Sequence, residues 1–253
     1  MIIYGINPVL EALRAGRVRE LRVAARTSGR VQEALSLAGQ RGVHVRRVPA
    51  DALDRDARGG SHQGMVAVVD DVNEYSVEDL VRDAAGAPLL VVLDGIEDPQ
   101  NLGAILRTVD AAGADGVVLQ SRRSAALGGA VAKASAGAVA HVRIAEVVNI
   151  ARALDALKAA GVWTVGLAGE AEMSYDEVDF TGPIAIVVGA EGAGLRRLVR
   201  ERCDYLAAIP MGGQVGSLNV SVAAGVTLFE AIRQRRRQAD GNGVGPRRLR
   251  PDP

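Results

Sequence analysis

Cysteine is almost missing from this chain: Cys203 stands alone among 253 residues. One thiol excludes an internal disulfide framework and suits a reducing compartment. At the end of the helical run "GLRRLVRERC" it reads as a small buried hydrophobe. Aromatic residues make up 3%, too few for a row of exposed rings that stacks nucleobases. Histidine is scarce too, and His44, His62 and His141 show no metal-ligand spacing, which argues against a metal hydrolase. His62, in "GSHQG", reads as a loop hydrogen-bonding residue or an RNA contact. The longest apolar runs, such as "PLLVVLDG", are strand-sized and far short of a membrane span. The opening "MIIYGINPVL" lacks the basic start and apolar core of a secretory leader. These absences lead us to expect a cytoplasmic protein with neither metal nor membrane partner.

What is present points to a folded α/β chain. Apolar residues at 48% and charged residues at 24% place it among globular proteins, with room for one large or two modest domains. The formal net charge of zero hides an asymmetry. Residues 1–70 hold 11 arginines against 7 acids, and residues 233–253 hold 7 arginines against 2 acids, so both ends are basic around an acidic middle. A polyanion would be gripped mainly by those ends. Arginine outnumbers lysine 28 to 2, which suits bidentate phosphate contacts, although genomic base composition would give the same bias.

The pattern along the chain predicts two units. In the first, "NPVLEALRAG" reads as a helix with Asn7 as N-cap, Pro8 at the first helical position and Gly16 as its stop. "SGRVQEALSLAGQRG" repeats that pattern, and "VRELRVAA", "VHVRRVP" and "GMVAVV" read as strands. We therefore expect a small α/β domain over 1–70. A linker with a short solvated helix follows over 71–87, and a second domain over 88–235. Strands "LLVVLD", "GVVL", "VWTVGLA", "IAIVVG" and "YLAAIP" alternate there with helices, which argues for a mainly parallel sheet covered on both faces. The tail over 236–253, rich in Gly, Pro and Arg, is expected to be disordered.

Three strand ends in the second unit carry unusual loops, and ligands of open α/β sheets bind at such ends. In "LDGIEDPQNLGAILRT", Asn101 falls near a helix start and Arg107 two turns on, with Leu102, Ile105, Leu106 and Val109 as the buried face. In "IAIVVGAEGAGLRRL", Gly189 would let a ligand approach the backbone, Gly192 and Gly194 would shape the loop, and Glu191 is its one charge. The string is no dinucleotide fingerprint, because that belongs to a first βα turn followed by an acidic ribose ligand. In "IPMGGQVGSLNVSVAAG", Ser217 reads as the cap of the last helix, leaving Asn219 as a poor interior residue that breaks local preference.

Together, "NLGAILRT", "VVGAEGAGL" and "IPMGGQVGSLNVSVAAG" resemble, in order and spacing, the three motifs of the SpoU (TrmH) RNA ribose 2′-O-methyltransferases. "YGINPVLEAL" and "GSHQGMVA" extend the resemblance into the first unit, so that it covers roughly residues 2–235. It implies a C-terminal methyltransferase domain threaded as a trefoil knot, a rare exception to unknotted chains, behind a small L30e-like RNA-binding domain. It implies S-adenosylmethionine held by Gly189, Ile209 and Leu218, with Leu167 and Met211 lining the pocket. Arg107 takes the catalytic arginine position, with Asn101, Glu191, Ser217 and Asn219 as the other polar positions. A guanidinium stays protonated, so Arg107 is better suited to clamping a phosphate and stabilising a developing alkoxide than to accepting a proton. The family implies a homodimer, with the cofactor site near the subunit interface.

Within the family, the two-domain layout and the stretch from "KASAGAVAHV" to "VGLAGEA" are most similar to enzymes acting on guanosine in 23S ribosomal RNA. Free RNA or an assembling large subunit would be the partner. Transfer-RNA enzymes and thiostrepton-resistance enzymes of the same family remain alternatives. From another class, a non-catalytic RNA-binding adaptor would explain the basic ends but leave Glu191, Ser217 and Asn219 without purpose.

Overall fold

A computed structural model describes residues 1–25, 29–70, 75–122 and 124–241. The first unit contains β1 (Ile2–Tyr4), α1 (Ile6–Arg14), β2 (Val18–Ala24), α2 (Gly29–Gln40), β3 (His44–Val48), α3 (Ala50–Ala57) and β4 (Met65–Val69). Its four-stranded sheet runs β1-β4-β2-β3, with β4 antiparallel to both neighbours and β2 parallel to β3. Helix α1 starts earlier than its sequence suggests. Gly5, at φ 94°, takes the cap position, and the Ile6 N–H donates to Gln63 Oε1 at 3.0 Å. The bend from β1 into α1 needs a positive φ, which glycine tolerates and asparagine pays more strain to adopt. Asn7 accepts instead from Arg30 Nη2 at 3.0 Å. Ser28, the expected cap of α2, lies outside the described residues.

The second unit contains β5 (Leu89–Asp94), α5 (Pro99–Ala112), β6 (Gly116–Gln120), α6 (Gly129–Ala134), β7 (Ile144–Val147), α7 (Ile150–Ala159), β8 (Trp163–Leu167), β9 (Met173–Ser174), β10 (Ile184–Gly189), α8 (Arg197–Arg202), β11 (Tyr205–Ala208) and a last helix, Val220–Gly241. Helix α4 (Val77–Arg82) precedes this unit, and the last helix, Val220–Gly241, is α9. The seven strands run β7-β6-β5-β10-β8-β11-β9, and every pairing is parallel.

The two-residue period of β5 sorts its side chains between two cores. Leu89, Val91 and Leu93 join the cluster containing Leu102, Ile105 and Leu106 of α5 and Ala224 and Leu228 of α9. Leu90 and Val92 face the other way, among Leu80 of α4, Leu154 and Leu157 of α7, and Val199 of α8. Burying such a side chain fully is worth about 1.5–3 kcal/mol, so a run as apolar as "LLVVL" fits only a strand covered on both faces. Helix α4 is therefore no solvated linker. A capping box from Ser76 to Asp79 starts it, and Val77 and Leu80 are buried in the second core.

The first core is continuous with the N-terminal unit, since Ile3, Leu10 and Leu13 belong to the same cluster as Val131 and Val139. The contact is close. A Cβ on Gly129 would meet the Tyr4 ring at 2.3 Å, and one on Gly137 would meet Glu11 at 2.6 Å. His141 Nε2 lies 3.0 Å from Glu11 Oε2 across this contact. Cys203 closes α8 as a partly buried residue whose thiol burial pushes up to about 12. His62 accepts from the Gly64 N–H and sits 3.1 Å from Asp54 Oδ1, which matches its loop reading. Among the described residues no helix is long and apolar enough to cross a membrane.

The last helix does not end near residue 235 but continues to Gly241, so residues 236–241 are helical, while 242–253 lie outside the described residues. Arg235 anchors it. Its guanidinium donates to the carbonyls of Ala87 (2.6 Å), Phe180 (2.9 Å), Gly182 (2.7 Å) and Pro88 (3.1 Å). Gln234 adds a bond to the Val178 carbonyl at 3.0 Å and accepts from the Phe180 N–H at 2.9 Å. These bonds tie α9 to the segments entering β5 and β10. Replacing Arg235 with Ala leaves four carbonyls to re-solvate and should cost roughly 2–4 kcal/mol in urea melts. Arg235→Lys should restore less than half of that, because one ammonium cannot span the fork.

Candidate active site at the carboxyl ends of the strands

A cavity of about 380 Å³ opens outside the carboxyl ends of β8, β10 and β11. Its walls are the turn after β8, the glycine loop after β10, the segment after β11 and the first turn of α9. Leu167, Gly189, Ile209, Met211 and Leu218 all line it, as do Glu191 and Ser217. Segments within 167–170, 188–195 and 207–223 thus converge because parallel strands deliver their carboxyl ends to one edge.

The glycine loop is shaped by its own backbone. Ala190 and Gly194 form an isolated bridge, with the Gly194 N–H donating to the Ala190 carbonyl at 2.8 Å, and Gly192 and Gly194 have φ of 76° and 66°. Gly189 lines the cavity and also meets a steric demand of the loop. A Cβ there would lie 2.1 Å from the Gly194 carbonyl carbon and 2.4 Å from the Leu195 nitrogen. The missing side chain makes room for the returning loop.

An ion pair between a buried carboxylate and a half-exposed guanidinium holds that loop down. Asp94, the last residue of β5, is fully buried and accepts from the Arg196 backbone N–H at 2.8 Å and from its Nε at 2.6 Å. Arg196 Nη2 also donates to Gln120 Oε1 at 2.7 Å, at the end of β6. None of these three residues was singled out from the sequence. The available signal was a lone acid closing an otherwise wholly apolar strand, since a carboxylate is rarely buried without a partner.

Asn101 falls at the start of α5, as its sequence context suggests, whereas Asn219 is placed otherwise. Asp98 caps α5, accepting from the Gln100 N–H at 3.0 Å, with Pro99 next, so Asn101 lies inside the first turn. Its side chain is buried. The last helix begins at Val220, not at Ser217, and Asn219 is its cap: its Oδ1 accepts from the Ser221 N–H at 2.9 Å and the Ser221 hydroxyl at 2.6 Å. Asn219 therefore breaks no helix preference. Because its oxygen is committed to Ser221, its Nδ2 must donate, and it does so to Asn101 Oδ1 at 2.9 Å. That leaves Asn101 Nδ2 to donate to Glu191 Oε2 at 3.1 Å. A helix start thus orients a carboxylate through two amides. Glu191 is in the turn ahead of α8 rather than in its first helical turn, so it is no dipole partner of that helix.

Ser217 is exposed at the cavity wall. Arg107 is not brought to the cluster. It is exposed on α5 and does not line the cavity; six residues beyond Asn101 correspond to about 600° of helical rotation and about 9 Å of rise. The expected buried face of α5, Leu102, Ile105, Leu106 and Val109, is fully buried.

Two substitutions test this construction. Gly189→Ala should push the loop from the strand end and cost roughly 1–3 kcal/mol. Asp94→Asn, which strips a buried carboxylate from Arg196, should cost about as much or more. In both, hydrogen exchange should show amides 190–195 losing protection while those of β5 keep theirs; unchanged exchange in the loop would contradict the clamp.

Comparison with known proteins agrees with this geometry. Residues 88–229 match the model of the SpoU rRNA Methylase family, and residues 2–75 match that described as RNA 2′-O ribose methyltransferase substrate binding. The chain is 48% identical over 239 residues to the 23S rRNA (guanosine-2′-O-)-methyltransferase RlmB of Xylella fastidiosa (strain Temecula1), covering 92% of this chain and 96% of that one. It superposes on the SpoU methyltransferase AviRb from Streptomyces viridochromogenes, solved in complex with the cofactor AdoMet, with a TM-score of 0.79, 28% identity and coverage of 93% and 90%. The A. aeolicus TrmH/SpoU tRNA modifying enzyme aligns with a TM-score of 0.55 and 31% identity, covering 66% of this chain and 84% of its own. With its three loop motifs gathered at one sheet edge and its family model spanning more than half its length, the chain belongs to the SpoU rRNA methylase family.

Proposed function

We propose that this protein methylates the ribose 2′-hydroxyl of a guanosine in 23S ribosomal RNA, using S-adenosylmethionine. The observation that carries the reading is the cavity itself, with the Asn219–Asn101–Glu191 chain at its edge. Its volume of about 380 Å³ falls within the range of about 300–1,000 Å³ common for small-molecule pockets. Its donor set suits the cofactor: apolar Leu167, Ile209, Met211 and Leu218 would flank an adenine, and the backbone around Gly189, Ile209 and Leu218 would meet its polar edge. The RNA assignment draws on the relatives named 23S rRNA (guanosine-2′-O-)-methyltransferase, which match this chain nearly end to end.

When bound, S-adenosylmethionine supplies an electrophilic methyl on sulfur for in-line displacement by the ribose 2′-oxygen. The protein's work is then to orient and to stabilise charge. Holding two reactants in line is worth about 7–11 kcal/mol when geometry is good. Glu191, fixed by Asn101 and Asn219, and Ser217 would orient the target nucleotide. Arg107 would clamp the adjacent phosphate and stabilise the developing alkoxide. Since Arg107 lies away from its own chain's cavity, we assign it to the cavity of a second protomer. Val222 and Phe229, exposed on α9 where it packs along α5, would form part of that homodimer contact. A trefoil knot would be threaded by the segment between β11 and α9, which lines the cavity with the loops after β8 and β10. The N-terminal unit would grip RNA through its net positive charge, and the enzyme would work in the cytoplasm, where ribosomal RNA is assembled.

Labelled S-adenosylmethionine offered with unmodified 23S RNA and, separately, unmodified transfer RNA should yield 2′-O-methylguanosine only from the former. Label in transfer RNA alone would overturn the substrate, and no label with no donor binding would favour a non-catalytic adaptor. Arg107→Lys should lower kcat roughly 10²-fold at unchanged donor affinity; near-full turnover would exclude the clamp. Phe229→Asp should yield a monomer by light scattering that still binds the donor but does not turn over.

A further inference from the structure

The cavity carries charge of both signs on one side only. Among its lining residues the charged side chains are Glu170, Glu191 and Arg200. Glu191 belongs to the Asn101 chain after β10. Glu170, in the turn after β8, and Arg200, on α8, pair with each other at the mouth through Glu170 Oε1 and Arg200 Nη1. Both are substantially exposed, at 60% and 41% of the side chain. Apart from Ser217, the other lining residues are apolar or glycine.

We propose that Arg200 and Glu170 form the subsite for the amino-acid end of the methyl donor, Arg200 binding its carboxylate and Glu170 its ammonium. The assignment rests on the donor reading above. The adenosine part of the donor has no formal charge, and the apolar walls suffice for it. The amino-acid arm carries one negative and one positive group on one carbon, and the cavity offers one cation adjacent to one acid. Among the described residues Arg200 is the sole cation lining the cavity, and its planar fork matches a carboxylate in a bidentate pairing. Opening the existing pair costs little, because exposed ion pairs are worth about 0–1 kcal/mol. The inserted zwitterion then replaces one ion pair with two in a ring of alternating charge. The pair lies on the β8 side, while the Asn219–Asn101–Glu191 chain lies on the β5 side of β10, so the arm is directed away from the nucleotide.

Titration calorimetry with S-adenosylhomocysteine and with 5′-methylthioadenosine, which lacks the amino-acid arm, separates the parts. The full-length protein should bind S-adenosylhomocysteine at least roughly tenfold more tightly than 5′-methylthioadenosine. Arg200→Gln should abolish most of that preference while leaving 5′-methylthioadenosine affinity unchanged, and Arg200→Lys should recover part of it. Glu170→Gln should weaken S-adenosylhomocysteine alone. A preference intact in Arg200→Gln, or an equal loss for both nucleosides, would overturn the subsite but leave the donor pocket standing. If the unaltered protein binds neither nucleoside, the donor reading itself fails, and the subsite with it.

Discussion

The pocket depends on one steric and electrostatic constraint: the backbone of residues 194–195 must lie against the end of β10. Gly189 permits that approach because a Cβ would sit 2.1 Å from the Gly194 carbonyl carbon. Asp94 then holds the loop, because a carboxylate buried without solvent must be neutralised, and Arg196 is the partner that reaches it. With the loop down, Glu191 comes within reach of Asn101, and the cavity acquires its wall. The interaction links three strands, β5 through Asp94, β6 through Gln120 and β10 through the loop it follows. None of the three residues needs to touch a ligand to determine whether one can bind.

The opposite end of the same sheet is secured by a different device. Arg235 has no carboxylate among the carbonyls it binds; it satisfies backbone acceptors where the chain enters β5 and β10. Burial lowers its affinity for its proton, yet a guanidinium has ample margin to stay charged. Helix α9 is consequently fixed at both ends, by Arg235 at its carboxyl half and by Asn219 at its cap. The cap does double work, since the amide left over from capping orients the amide that orients Glu191. Helix stability and site geometry are therefore coupled in α9, and its exposed Val222 and Phe229 leave a third face for contact.

The N-terminal unit is packed rather than tethered. Tyr4 against Gly129 and Glu11 against Gly137 leave no space for a Cβ, and apolar residues run without interruption from Leu10 to Val139. Contact this close makes the position of the N-terminal unit relative to the cavity a property of the fold.

Strong local patterns were legible in the chain. The apolar runs of β5 and β10, the buried face of α5, the helix-permissive stretches and the three loop motifs all follow from hydrophobic period and glycine placement, which are local properties. Weak ones were not: β1, α6, β7 and β9 are two to six residues long and rely on tertiary contacts more than on their own preference. The structure caps α1 at Gly5 rather than Asn7 and α9 at Asn219 rather than Ser217, because candidate caps near a helix start compete and the choice turns on the bend that the incoming chain must make. The sequence by itself determined the fold class, the two units and the motif loops, because burial of apolar strands and helix faces is dictated residue by residue. Only the tertiary structure decided that Asn219, Asn101 and Glu191 form one chain, that Gly189 yields to its own loop, and that Arg107 stands apart, because each depends on residues far apart in sequence arriving at one sheet edge.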